Sequence, residues 1–218
     1  MKTDFQIQRD VLDELLWEPS VTAADIGVSV QDGVVTLTGT VPSYAERFAA
    51  ERAARRVAGV RAVAEDLKVK LTDDYERNDT DIAEAAANAL DWHSLVPSNR
   101  VKVEVANGWV TLSGDVDWNY QREAAHEAVR YLYGVKGVTN LITVKPNVTT
   151  ANVRTKIDDA FKRYAINDAN AIQIETSGNK VTMRGSVHSW EEHDEAARAA
   201  WSVPGVSTVE NDLRVTFA

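Results

Sequence analysis

His188 and His193 bracket Glu191 and Glu192, and these four side chains are the best metal-binding set that the residue types allow. Ligands on one helix converge when they lie four residues apart, whereas a spacing of five places the two imidazoles on different faces. His93 and His126 fall far away in the chain, so no tetrahedral set is legible and no metal is expected. An acidic run of Asp73, Asp74, Glu76, Asp79 and Asp81 has oxygens enough for a loose calcium site. It lacks the ordered ligand pattern of a dedicated loop and reads better as a solvated, self-repelling linker. No nucleophile elbow, phosphate-cradling loop or cysteine is present. Catalytic residues and cofactor sites are therefore not expected, and the chain reads as a non-enzyme.

Other side chains have the chemistry to recognise a surface. Trp118, Tyr120, Trp190 and Tyr44 cluster at the starts of three helices, where amphipathic rings could dip into a lipid interface. The competing reading is that they fill gaps within or between domains. Arg47, Arg52, Arg55 and Arg56, with Arg61 nearby, make the best basic surface and could meet phosphate or lipid headgroups. Glu46 and Glu51 dilute that patch, and arginines on a solvent-facing helix need no further explanation. Trp17 and Trp92 occupy equivalent places at two helix ends and are read as structural, as are Trp109 and Trp201.

The elements that carry these residues are written three times. Gly33-Val34-Val35-Thr36-Leu37-Thr38-Gly39, Gly108-Trp109-Val110-Thr111-Leu112-Ser113-Gly114 and Asn179-Lys180-Val181-Thr182-Met183-Arg184-Gly185 align without a gap. An offset of 75 residues carries the first copy onto the second, and one of 71 carries the second onto the third. Each unit opens with an amphipathic helix whose apolar residues recur at a spacing of four: Ile7, Val11 and Leu15, then Ile82, Ala86 and Leu90, then Val153, Ile157 and Phe161. Asp4, Thr80 or Asp79, and Asn152 are the expected caps. An alternating strand follows (Ile26, Val28, Val30 and their equivalents), then a hairpin turn at Asp32-Gly33, Asn107-Gly108 or Gly178-Asn179. Return strands are expected over 34–38, 109–113 and 180–184.

A second helix, over about 43–58, 118–133 and 189–202, has a buried stripe of small residues such as Ala50 and Ala53, so it lies close on a sheet. A last strand closes each unit, over 62–71, 138–145 and 206–217. A helix between the second and third strands is a crossover, which makes those strands parallel. The expected fold is α+β: three tandem αββαβ domains at 1–71, 78–146 and 150–218, each a mixed three-stranded sheet covered by two helices. The charged linker from residue 72 is longer than that at 147–149, which predicts a loosely joined first domain and a tighter pair.

Net charge is −9. This disfavours nucleic acid and anionic membrane as partners. No stretch approaches the ~20 apolar residues of a membrane span. The amino terminus has no apolar segment and the chain has no cysteine, so a cytoplasmic location is expected.

The pattern resembles the BON-domain family of bacterial osmotically induced and nodulation proteins. The glycine-flanked Val-x-Leu-x-Gly strand, the Gly-Val after an alanine-rich helix (Gly59-Val60, Gly134-Val135, Gly205-Val206) and the closing Val209-Glu210-Asn211-Asp212-Leu213-Arg214-Val215 carry the resemblance. The first unit has Glu65 where that last motif has asparagine. The resemblance implies an αββαβ fold, a noncatalytic role and association with phospholipid or the cell envelope, although most relatives are exported and often carry two copies. Two alternatives remain open: an interaction scaffold or self-associating protein, and potassium sensing, because one potassium-binding protein contains this domain.

Overall fold

The computed structural model describes residues 2–72, 74–146, 153–163 and 172–216. The expected cap Asn152, the Phe161 side chain, the linker at 147–149, residue 73 of the acidic run and residue 217 lie outside the described residues.

The first unit comprises α1 (Asp4–Trp17), β1 (Ile26–Gln31), β2 (Val34–Val41), α2 (Tyr44–Arg56) and β3 (Ala62–Val69). The second comprises α3 (Asp79–Trp92), β4 (Val101–Ala106), β5 (Trp109–Val116), α4 (Asn119–Arg130), β6 (Gly137–Asn140) and β7 (Thr143–Val144). The third comprises α5 (Val153–Arg163), β8 (Ile172–Ser177), β9 (Lys180–Val187), α6 (Trp190–Trp201) and β10 (Thr208–Val215). In every unit the return strand is central, antiparallel to the strand before it and parallel to the one after the crossover helix. Each unit buries its own core. In the first, Val11, Leu15, Val35 and Leu37 are fully enclosed with Ala50 and Ala53 of α2. Such side chains contribute roughly 1.5–3 kcal/mol apiece, which a unit of this size needs.

Several details differ from the sequence reading. The caps of α1 and α3 are Thr3 and Asn78, in place of the expected Asp4 and Thr80 or Asp79. Asp4 and Asp79 instead send their carboxylates to the hairpin turns: Asp4 accepts the Asp32 and Gly33 amides at 2.8 and 2.9 Å, and Asp79 those of Asn107 and Gly108 at 2.7 and 2.8 Å. One acidic residue thus fastens each of these two hairpins to its first helix. The return strands run three residues beyond the expected end, through Gly39, Gly114 and Gly185. The third strand of the middle unit is interrupted. Its two pieces both pair with β5, and Leu141 between them is exposed.

The linker between the first two units is only partly solvated. Tyr75 stacks on Tyr133 at 5.0 Å between ring centres, and the Arg77 guanidinium lies 5.5 Å from the same ring. These contacts dock it on the middle unit.

Candidate functional site

The second helices α2, α4 and α6 bring most of the selected residues together, but at junctions between units. Tyr44 is half-buried against the core of the middle unit and meets His126 edge-on at 6.5 Å. Phe48, one turn further along α2, lies 6.2 Å from the same imidazole and carries the Arg130 guanidinium 4.4 Å from its ring centre. Trp190 donates its indole N–H to the Val60 carbonyl at 2.9 Å, and Arg55 covers the ring at 5.3 Å. Between the second and third units, Arg122 lies 4.9 Å from the Trp201 ring. Each junction therefore holds a guanidinium against an aromatic face, a contact worth about 0.5–2 kcal/mol depending on its desolvation.

The repeat offsets show that these junctions are equivalent. Arg55, Arg130 and Trp201 occupy one repeat position, and their partners Trp190, Phe48 and Arg122 all come from the first two turns of the neighbouring second helix. The first unit receives the second, the second receives the third, and the third receives the first. Head-to-tail contacts that return to their origin make a closed ring. The first unit touches both others, which overturns the expected loose domain and tight pair. Linker length set that expectation, whereas side-chain contact sets the arrangement.

The arginines have separate fates. Arg47 forms two hydrogen bonds with Glu65. This pairing explains the departure from the asparagine motif. Asn140 and Asn211 donate to the carbonyls of Arg122 and His193, each at 3.0 Å, and so tie the last strand to the second helix. Glu65 has no N–H to donate and takes the Arg47 side chain instead. Arg56 bonds to Glu14 at 2.9 Å and Glu18 at 2.8 Å, while Arg55 pairs with Glu51 at 2.5 Å. Arg52 makes no ion pair or hydrogen bond among the described residues and is exposed. The basic patch is thus largely neutralised within the fold.

Trp118 is half-buried and stacks with the exposed Tyr120 at 6.3 Å. Trp17 and Trp92, read from sequence as packed, are 82% and 89% exposed. Trp17 lies about 200° around the helix from Leu15, which carries it off the core stripe. That angle was available in the spacing of Ile7, Val11 and Leu15. Trp109 is 43% exposed on the open face of its sheet, where its indole N–H donates to Thr139 at 2.8 Å. His188 lies 3.6 Å from Glu192, and His193 lies 3.1 Å from Asp194 and packs on Trp190. Among the described residues no three potential metal ligands converge.

His126 gives the first junction a pH dependence. Burial, then the neighbouring Arg130 charge, hold its imidazole below the ordinary value of 6.5, against smaller opposing effects of Glu123 and Glu127. The unfolded chain therefore takes up a proton near pH 6.5 before the folded chain does. The associated stability is complete at neutral pH and falls as pH drops through 6.5. Chemical denaturation at pH 7.5 and 5.5 should show this loss, and His126→Gln should remove that part of it. An identical pH profile for the variant would contradict the assignment.

Comparison with known proteins agrees with this architecture. The BON-domain family matches residues 3–70, 78–146 and 149–216. The chain is 33% identical over 147 residues to osmotically-inducible protein Y of Escherichia coli (strain K12), covering 65% of this chain and 73% of that protein. Among solved structures, CdsD, a structural protein of the type III secretion system of Chlamydia trachomatis, aligns over 96% of this chain and 92% of its own, with 12% identity and a TM-score of 0.27. The PrgH periplasmic domain aligns over 94% and 99%, with 9% identity and a TM-score of 0.22. Overlaps of that quality carry no argument. Three matched segments, each containing one αββαβ unit, cover nearly the whole sequence: the chain belongs to the BON-domain family.

Proposed function

We propose that this chain is a noncatalytic, osmotic-stress-associated binding module that seats on a phospholipid surface through the ends of its first helices. The exposure of Trp17 and Trp92 carries the reading. A closed ring places equivalent positions on the same face, so both indoles project from one side. Tyr131, 59% exposed, lines a cavity with Glu18 and Ser20, just past the end of the first helix. Leu16 and Leu95 add exposed apolar area beside the two indoles. Indole rings favour the boundary between headgroups and acyl chains. The osmotic association rests on the similarity to the osmotically-inducible protein of E. coli.

A net charge of −9 points to zwitterionic rather than anionic lipid. Binding should therefore change little with salt. Cosedimentation with phosphatidylcholine vesicles tests the site. Trp17→Ala combined with Trp92→Ala should weaken binding at least tenfold without lowering the melting temperature. Unchanged binding by that variant would sink the reading. Among the earlier candidates, Tyr120 and Arg52 remain available to a surface, while Tyr44, Trp190, Arg47, Arg55 and Arg56 are committed to junctions or ion pairs. The scaffold reading retains one supporting feature, the two outer strands of each sheet, which could accept a partner strand. Recovery of a stoichiometric protein partner that survives loss of an outer strand's pairing groups would count against edge docking.

A further inference from the structure

A cleft of about 490 Å³ opens at the junction between α2 and α6, where the third unit closes the ring on the first. Domain junctions are common places for small-molecule sites, and this volume lies within their usual range of roughly 300–1,000 Å³. Phe48 and Trp190 supply its apolar lining. Arg52 and Arg55 stand on the α2 wall with Glu51, which pairs with Arg55, and Glu191 and Asp194 stand on the α6 wall.

The charges on these walls are incompletely used. Arg56 and Arg198 also border the cleft, but they pair with carboxylates outside its lining, Glu14 and Glu18 for one and Glu195 for the other. Among the described residues, Arg52 and Glu191 make no hydrogen bond or ion pair. The Arg55 Nε is buried and has no hydrogen-bond partner, although the same guanidinium reaches Glu51 through its terminal nitrogen. The Nε of Arg130, the equivalent residue of the middle unit, is buried and unbonded too, so this feature accompanies stacking on an aromatic face, and a ligand in the cleft meets the outer nitrogens of Arg55 instead. Across from it, Asp194 has His193 as a neighbour and Glu191 has none.

We propose that this cleft binds a small zwitterion carrying a phosphate and a primary ammonium, the chemistry of a phosphoethanolamine head. The phosphate sits between the Arg52 and Arg55 guanidinia, where charge-assisted hydrogen bonds are strongest. The ammonium sits against Glu191 and Asp194. A quaternary ammonium fits less well, because it needs open aromatic faces. The Trp190 ring is already covered by Arg55 and met by His193 at 5.0 Å, and the Phe48 face carries Arg130. A simple anion fits less well too, because it leaves the opposite wall's carboxylates unanswered. Neither Arg52 nor Glu191 is repeated by the middle unit, which has Glu127 and Tyr120 in their places. Arg198 repeats Arg52 in the third unit, but it faces the unit that carries Tyr120, so the combination of Arg52 with Glu191 occurs at this junction alone.

Calorimetric titration with soluble phosphoethanolamine, phosphocholine and inorganic phosphate tests the assignment on the full chain. Phosphoethanolamine should bind at least tenfold more tightly than either of the others. Arg52→Gln and Glu191→Gln should each weaken it tenfold or more with the melting temperature of the free protein unchanged. Equal affinity for phosphate, absence of phosphoethanolamine binding at 10 mM or unaltered binding by Arg52→Gln would overturn the proposal. Vesicles distinguish the source. A preference for phosphatidylethanolamine over phosphatidylcholine that Glu191→Gln abolishes identifies a lipid head, whereas soluble binding without that preference identifies a free zwitterion. The Trp17→Ala, Trp92→Ala variant should bind soluble phosphoethanolamine normally, so this cleft and the first-helix surface can fail separately.

Discussion

Gly114→Ala is expected to unfold the middle unit. A methyl group at this position would lie 2.0 Å from the Arg100 carbonyl oxygen, an approach that only backbone displacement can relieve. The residue also has φ of 126°, a conformation that side chains other than hydrogen rarely adopt. Strain and overpacking at such a site cost about 1–3 kcal/mol each, and the two act together here. A whole domain is commonly stable by only about 5–15 kcal/mol, and a unit this small lies towards the low end. Circular dichroism should show a large downward shift of the melting temperature. Gly178→Ala is the control. Its φ is 59°, but nothing lies within 4 Å of the added carbon. A loss confined to about 1 kcal/mol is expected there, from left-handed backbone strain alone. Similar losses in the two variants would remove the steric argument.

Trp190→Ala should release the third unit from the first. The substitution removes the hydrogen bond to the Val60 carbonyl and the surface on which Arg55 rests. Truncating a fully buried tryptophan costs roughly 3–5 kcal/mol. Trp190 is half-buried, so a cost of about 2–3 kcal/mol is expected. Its distinctive consequence is loss of cooperativity. Calorimetry should resolve a separate transition for the third unit, and amide exchange should quicken along both α2 and α6. Trp118→Ala, whose ring stacks on Tyr120 within its own unit, should leave exchange in α2 and α6 alone. A single transition retained by Trp190→Ala would show that the ring does not depend on this contact.

Much of the unit itself was legible. The Ile7, Val11 and Leu15 spacing identified the core face of α1, and the small stripe of Ala50 and Ala53 identified that of α2. Asp32-Gly33 and Asn107-Gly108 marked turns whose residues do take positive φ. These features are written locally, in periods and in residues with special backbone freedom. Local pattern was less informative about Gly39, which looked like a strand end but carries β2 onward beside β3. It was silent about Phe48, Arg122 and Arg130, because charge and periodicity do not reveal which outward-facing positions meet another unit. The aromatics at the second-helix starts stand out in the sequence by type and position. What set them apart was contact across 130 residues of chain between Trp190 and Val60, which no spacing rule contains. The exposed indoles lay in the opposite direction, on positions assigned to packing merely because two units shared them.

The head-to-tail junction also sets how many units one ring can hold. A self-complementary contact saturates with two partners, but a directional one leaves a donor and an acceptor surface until the arc closes. Here closure comes at the third unit, through Trp190 and Arg55. Duplication to four would strand a unit outside the circle, and deletion to two would leave aromatic surfaces uncovered at both ends. The number of units in the circle thus follows from the direction of their contacts.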